Sequence, residues 1–341
     1  MHQFTLNSPS GVTDITVGED LTLKLQTLDI KPLLLVDEHV LCQHQDLFES
    51  YQSITIPSGE KYKNLQTIEN IYRELVKLEV DRSTLLVGVG GGLATDVAGF
   101  VASTYLRGVP FGFISSTLLG QVDASIGGKN GVNLDGYKNM IGTIRQPSFV
   151  WCDLSLLKTL ARKEYISGIA EVIKYGAIWD LDFLSYLRDH MEGLLQLNLE
   201  VLDHVVSTSV AIKTDVVQKD ERESDLRRIL NFGHTIGHAI ERDKKLLHGE
   251  AIAIGMIMAA RLSQTLGLLP SAGVDVIQEL VLAAGLPVQI ELDPDVIFQN
   301  IRKDKKKSGE SIHFVLLDGL GKTLIKELPL NDLKPILHDL C

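Results

Sequence analysis

Two histidines four residues apart stand in the stretch "RRILNFGHTIGHAIE" at 227–241. On a helix that spacing puts His234 and His238 on one face, so both can turn toward a single ligand. Such pairs are familiar in zinc sites, and His248 follows in "LLHGEAIAIG" with Glu250 close by. Spacing alone leaves three readings open: two metal ligands, one ligand, or core histidines satisfied by their neighbours. The third histidine favours a metal site.

A second chemical stretch is "LLVGVGGGLATDVAGF" at 85–100, a buried strand, a glycine-rich turn and the start of a helix. Glycines let backbone approach a phosphate, and a helix N-terminus supplies oriented N–H donors. The dinucleotide pattern is incomplete. After Gly88 and Gly90 the third glycine would fall at Leu93, and the acidic strand end, Asp37, precedes the turn instead of following it. A nucleotide or phosphate role is expected here, against a plain strand-to-helix turn.

The segment "QVDASIGGKNGVNLDGYKNMIG" at 121–142 reads as a long loop without structure of its own, and such loops tend to be functional. Lys129 and Lys138 can each serve an anion there, and Asp123 a hydroxyl. In "GIAEVIKYG" (168–176), Glu171 and Lys174 share a helix face. They are a surface ion pair if exposed and a site if buried. Arg227, Arg228 and Asn231 precede His234, and Lys213 lies in the helix before them. "IRKDKKKSGE" at 301–310 concentrates positive charge suited to a phosphorylated substrate, unless it is simply a solvated run.

These residues need elements to hold them. Five of the ten prolines lie at or before Pro147 and five at or after Pro270, so the span between is free to be helical. Before Pro147, "PLLLVD" (32–37), "TLLVGVG" (84–90) and "PFGFISST" (110–117) read as buried strands. The stretch 64–80 between the first two reads as a helix. That alternation implies a parallel sheet with right-handed crossovers. After about residue 150 the pattern is helical, including one continuous helix through "LRRILNFGHTIGHAIE", with a closing hairpin around Asp318-Gly319. The expected fold class is an α/β N-terminal domain with a parallel-sheet nucleotide-binding core, residues 1–160, plus a mostly α-helical metal- and substrate-binding domain, residues 161–341.

The net charge of −11 argues against nucleic acid or an acidic membrane surface as a partner, so an anionic ligand needs locally clustered cations. No signal peptide is visible, and the longest apolar stretch, 251–262, is too short to span a bilayer. Three cysteines, Cys42, Cys152 and Cys341, lie far apart, as suits a reducing compartment. A cytoplasmic location is expected.

Taken together, "GVGGGLATDVAGF", "STYLRGVPF", "STLLGQVDASIGGKNGVN", "KNMIGTIRQP", "GIAEVIKYGAI", "KDERESDLRRILNFGHTIGHAIE" and "LHGEAIAIGM", with "DKKKSGE" near 304, resemble the 3-dehydroquinate synthase family of sugar phosphate cyclases. The resemblance implies a lyase of the shikimate pathway. Its substrate would be 3-deoxy-arabino-heptulosonate 7-phosphate, and its products 3-dehydroquinate and phosphate. The implied route is transient oxidation by NAD, β-elimination of phosphate, re-reduction and intramolecular aldol closure. It implies zinc (or cobalt) on Glu171, His234 and His248, with His238 near the substrate phosphate instead. NAD would meet Gly91, Gly92, Asp96, Asp37, Glu60, Lys63, Ser116, Thr117, Lys138 and Thr159. Substrate would meet Asn139, Lys174, Lys213, Arg227, Asn231, His238 and one or both of Lys305 and Lys306. Asp123 and Lys129 are shared between the two sets. Arg107 would reach the substrate of a partner subunit, which implies a homodimer.

The sequence departs from the family's usual pattern at Ser115, Ser116 and Thr95, and "ERDKKLL" between His238 and His248 is shorter than usual. The rival readings are another sugar phosphate cyclase, a metal-dependent polyol dehydrogenase of related fold, or a non-catalytic metabolite sensor. The complete metal triad speaks against the last.

Overall fold

Runs of apolar residues with no polar alternation become strands covered on both faces. In the computed structural model, which describes residues 1–304 and 311–340, all five residues of Leu86–Gly90 are buried. The chain divides into two units, Met1–Ala161 with Leu202–Arg222, and Arg162–Val201 with Glu223–Cys341.

In the first unit the elements are β1 (His2–Ser8), β2 (Gly11–Gly18), β3 (Leu33–Asp37), α1 (Glu38–Gln43), α2 (Gln45–Phe48), β4 (Ser53–Ile56), α3 (Leu65–Lys77), β5 (Leu86–Gly90), α4 (Gly92–Thr104), β6 (Phe111–Ser115), β7 (Lys129–Leu134), β8 (Tyr137–Ile144) and β9 (Phe149–Asp153). Seven of these strands make one sheet in the order β1-β2-β9-β6-β5-β3-β4, parallel throughout except for the β1–β2 hairpin. From β3 the chain passes outward to β4, then returns to the other side of β3 as β5. The strand order therefore reverses at β3 and β5, and ligands of such sheets bind at the carboxyl ends beside that point. Asp37 ends β3 and the glycine turn follows β5. Helix α3 forms where expected: Asn64 caps it by accepting from the Thr67 N–H at 2.9 Å, and Ile68, Ile71 and Leu75 bury one face.

The segment 121–142 is not the open loop that its glycine content suggested. A π-helical turn covers Gly120–Ala124, and β7 and β8 pair as an antiparallel hairpin. Asp135 (φ 49°) and Gly136 (φ 78°) turn that hairpin with the paired positive angles of an Asp-Gly turn.

Helices α5 (Arg162–Ile178) and α6 (Leu181–Leu195) open the second unit, and α7 (Leu199–Lys219) follows. Residues 202–222 count with the first unit, although sequence placed them in the second domain. Hydrogen bonds to the N-terminal hairpin account for this: His2 Nε2 to Asp203 at 2.7 Å, the Asn7 N–H to Gln218 at 3.0 Å, and Ser8 Oγ to Glu221 at 2.6 Å. The second unit continues with α8 (His234–Lys244), α9 (His248–Thr265), α10 (Ser271–Ala283), α11 (Pro294–Asp304), β10 (Ser311–Leu317), β11 (Thr323–Pro329) and α12 (Leu330–Leu340). The hairpin β10–β11 forms as read, around residues 318–322.

One helix expectation fails. The stretch 226–241 is two elements, a 3₁₀ turn over Leu226–Asn231 and then α8, because Gly233 takes φ +79°. A Cβ there would stand 2.6 Å from Met256 Cγ, so the break needs glycine for space as well as for angle. No helix among the described residues is long and apolar enough to cross a membrane.

Candidate functional site

The candidate metal centre is assembled by close backbone contact between α5 and α9. The Gly249 N–H donates to Ser167 Oγ at 2.9 Å, and a Cβ on Gly249 would fall 1.8 Å from the Ser167 carbonyl oxygen. No other residue fits there. Glu171 lies one helical turn beyond Ser167 and His248 immediately precedes Gly249, so this contact brings the two side chains face to face. His248 Nε2 is 3.4 Å from Glu171 Oε1, and His234 Nε2, from the first turn of α8, is also 3.4 Å from that oxygen. One ligand atom from each residue lies within 4.8 Å of the others, a spread that one ion can bridge. A carboxylate with two imidazoles suits zinc or cobalt and leaves a position for substrate oxygen.

Electrostatics distinguish the three candidate ligands. Glu171 is fully buried and ion-paired with Lys174, itself 1% exposed, so the surface reading of this pair is replaced by the buried one. Burial pushes the His234 imidazole down to about 3, with Lys174, His238 and His248 adding to the effect. His234 is thereby neutral, and its Nδ1 lies 3.1 Å from the Phe232 carbonyl oxygen, which leaves Nε2 as the donor atom. Burial alone would lower His248 too, but its contacts with Glu171 and Glu241 outweigh that and push it up to about 9.

His238 is not in this triad. Its ring stands 5.3 Å from that of His234, centroid to centroid, and it falls in an overlapping group with Glu241 and His248. The i,i+4 spacing therefore offered two histidines of which one joins Glu171. Glu241 is the residue that sequence reasoning missed. Its only signal was an acid at the head of a basic segment, seven residues before His248. In the same unit, Arg227 is buried and Asn231 Nδ2 donates to the Glu223 carboxylate.

In the first unit the glycine turn forms a cradle. Gly90 has φ +152°, and a Cβ there would meet Ala94 Cβ at 2.6 Å and Asp37 Cβ at 2.9 Å. The first backbone N–H groups of α4 open beyond it without intrahelical partners. Thr117 packs on Gly91, and the Ser116 N–H donates to the Gly90 carbonyl at 2.9 Å. Lys63 is buried and bonds both Asp96 and Asn139, the latter at 2.6 Å; burial raises the Asp96 carboxyl and Lys63 opposes that rise. Glu60 accepts from Asn133 Nδ2 at 2.8 Å. The tight glycine turn at the start of α4 and these contacts fit a dinucleotide. Replacing Gly90 by alanine is expected to cost about 1–3 kcal/mol in stability and at least ~10-fold in NAD affinity, with metal content unchanged. Calorimetric NAD titration and metal analysis check this.

Other members of the expected set are engaged elsewhere. The Asp37 carboxylate caps α1 through the His39 N–H at 2.9 Å and accepts from Ser58 Oγ. Thr159 Oγ1 bonds His44 Nε2 at 2.7 Å. Lys213 Nζ bonds Asp123 Oδ1 at 2.7 Å, so the lysine expected to take an anion already holds one. Lys129 and Lys138 are exposed on the β7–β8 hairpin. Arg107 is exposed in the turn after α4, where Leu106 (φ 49°) and Arg107 (φ 66°) are both left-handed. Lys305 and Lys306 lie outside the described residues.

With that geometry in place, comparison with known proteins decides the lineage. A family model described as "3-dehydroquinate synthase N-terminal" matches residues 53–167, and one described as "3-dehydroquinate synthase C-terminal" matches residues 168–307. The chain belongs to the 3-dehydroquinate synthase family. The 3-dehydroquinate synthase of Thermodesulfovibrio yellowstonii is 44% identical over 292 residues, covering 84% of this chain and 81% of that protein. Among solved structures, a 2-epi-5-epi-valiolone synthase from Streptomyces hygroscopicus with NAD+ and Zn2+ bound superposes with a TM-score of 0.88 at 26% identity, covering 96% of each chain. A 2-deoxy-scyllo-inosose synthase complexed with carbaglucose-6-phosphate, NAD+ and Co2+ gives 0.87 at 25% identity, covering 100% of each. The family assignment and these folds agree with the α/β and helical architecture expected from sequence.

Proposed function

We propose that the chain acts as a 3-dehydroquinate synthase, converting 3-deoxy-arabino-heptulosonate 7-phosphate to 3-dehydroquinate and phosphate. The observation that carries this reading is the convergence of Glu171, His234 and His248 donor atoms within 4.8 Å, in a chain of this family. Glu171, His234 and His248 would hold zinc or cobalt, and the turn around Gly91 and Gly92 would hold NAD. When bound, NAD takes up and returns a hydride while the cation polarises the substrate oxygen being oxidised.

The chain's own residues supply binding and orientation. Arg227, with a planar fork, and Lys213 are suited to the substrate carboxylate; Lys129, Asn139 and His238 to its phosphate. Lys174 sits against Glu171 and can orient a substrate hydroxyl at the ion. Asn231, Asp123 and one or both of Lys305 and Lys306 complete the substrate set. Asp37, Glu60, Lys63, Asp96, Ser116, Thr117, Lys138 and Thr159 complete the cofactor set. A homodimer in which Arg107 serves the partner subunit's site, and a cytoplasmic location, belong to the same proposal. Exposure of Arg107 and the lack of paired cysteines in the sequence support them.

The test follows phosphate release alongside NADH absorbance in metal-loaded protein with NAD and the heptulosonate phosphate. Catalytic phosphate release with no net NADH is expected. NADH accumulating in step with product would make the protein a dehydrogenase and overturn the reading. Arg227→Ala and Lys213→Ala are each expected to raise the substrate KM about 10–100-fold, as loss of a charged hydrogen bond worth ~1.5–3 kcal/mol implies. NAD affinity should stay unchanged in both, checked by steady-state kinetics beside NAD titration.

A further inference from the structure

An imidazole offers a metal only one of its two nitrogens, and something must decide which. For His234 the Phe232 carbonyl does so from the backbone. His248 has no such carbonyl contact among its described partners. It starts α9 and is the more exposed of the two ring ligands. Its Nδ1 faces Glu241 Oε2 at 3.6 Å while Nε2 faces Glu171 Oε1 at 3.4 Å. We propose that Glu241 is a positioning residue for the metal centre, whose carboxylate holds the His248 ring with its proton on Nδ1 and its Nε2 lone pair turned to the ion beside Glu171. The proposal rests on the metal assignment made above.

The short connection between the helices is what puts Glu241 there. Helix α8 stops at Lys244. Lys245 then takes a left-handed φ of 56° and donates its N–H back to the Glu241 carbonyl at 3.1 Å. Two leucines lead directly to His248, so the last turn of α8 and the first turn of α9 are adjacent. The Leu247 N–H donates to Glu250 Oε2 at 2.8 Å, which pins the root of the His248 side chain. Within that frame Glu241 is the acid that faces the far nitrogen of the ring. Carboxylate–histidine–metal arrangements of this kind fix tautomer and ring angle, and losing the carboxylate costs about 10–100-fold in metal affinity.

His238, Glu241 and His248 also present donor atoms within 4.8 Å of one another, which raises the alternative of a second ion. That ion would need His248 Nδ1 while the first holds Nε2, so the ring would have to lose both protons. A ring with its proton held by a carboxylate avoids this.

The experiment uses the full chain with NAD and measures zinc affinity by chelator competition, zinc content per chain, and the visible spectrum of the Co2+-loaded protein. Zinc affinity is expected to fall in the order wild type, Glu241→Gln, Glu241→Ala, with the alanine variant about 10–100-fold weaker. One ion per chain should remain at saturation, with shifted cobalt bands. The glutamine keeps an acceptor oxygen and the packing, so its partial loss alone decides the matter if the alanine variant does not fold. Wild-type affinity and spectrum in the glutamine variant, or two ions per wild-type chain with one lost on mutation, would overturn the proposal. Wild-type protein that takes up no ion sinks the metal assignment itself; uptake untouched by Glu241 variants sinks only this inference.

Discussion

Replacing His234 by alanine is expected to remove the metal ion and about 10³-fold of turnover in one step. The cation's polarising effect is worth several kcal/mol, and ~4 kcal/mol in the barrier corresponds to that factor. With His234 gone, Glu171 Oε1 and His248 Nε2 remain as a pair 3.4 Å apart, too few donors for a closed tetrahedral set. His238 does not substitute. It stands one helical turn on, its ring nearly perpendicular to that of His234 at an interplanar angle of 82°. The contrast is His238→Ala, which should keep one ion per chain and lose substrate affinity. Metal analysis and phosphate-release kinetics on both variants check the pair. Full metal content in His234→Ala protein would break the assignment.

Lys174→Met is expected to destabilise the metal-stripped protein by about 3–5 kcal/mol, the usual cost of leaving one member of a buried ion pair alone. Glu171 is fully buried and Lys174 nearly so; water cannot stand in for the lost cation. A bound divalent ion can, because it supplies positive charge to the same carboxylate. The penalty in metal-loaded protein should therefore be smaller by at least ~1.4 kcal/mol, and by linkage the variant should bind the ion at least ~10-fold more tightly than wild type. Urea unfolding with and without metal gives the first number and chelator competition the second. Equal destabilisation in both states would mean that Lys174 and the ion do not share Glu171. Turnover should fall regardless, since Lys174 also belongs to the proposed substrate set.

Much of the fold is legible in the sequence. The strands at 33–37, 86–90 and 111–115 announced themselves as uninterrupted apolar runs, since strands covered on both faces have no reason to alternate. The proline-free middle of the chain held its helices. Local signals were also misread. Asp135-Gly136 is a hairpin turn inside what passed for a loop, and Gly233 divides what passed for one helix. Both depend on single glycines whose positive φ periodicity does not register.

Residue type and spacing were sufficient for the parallel sheet, the glycine turn, the helical run and a set of histidines able to bind metal. These are local properties, written in patterns of a few residues. Spacing left open which histidine joins Glu171, a choice only the family resemblance implied; whether Glu171 and Lys174 are wet or dry, and the arrival of Glu241 beside His248, required tertiary structure. Glu171 and His248 are far apart along the chain and meet only because Ser167 and Gly249 let two helix backbones touch. Contacts of that range are settled by how helices pack, which no short stretch of either helix encodes.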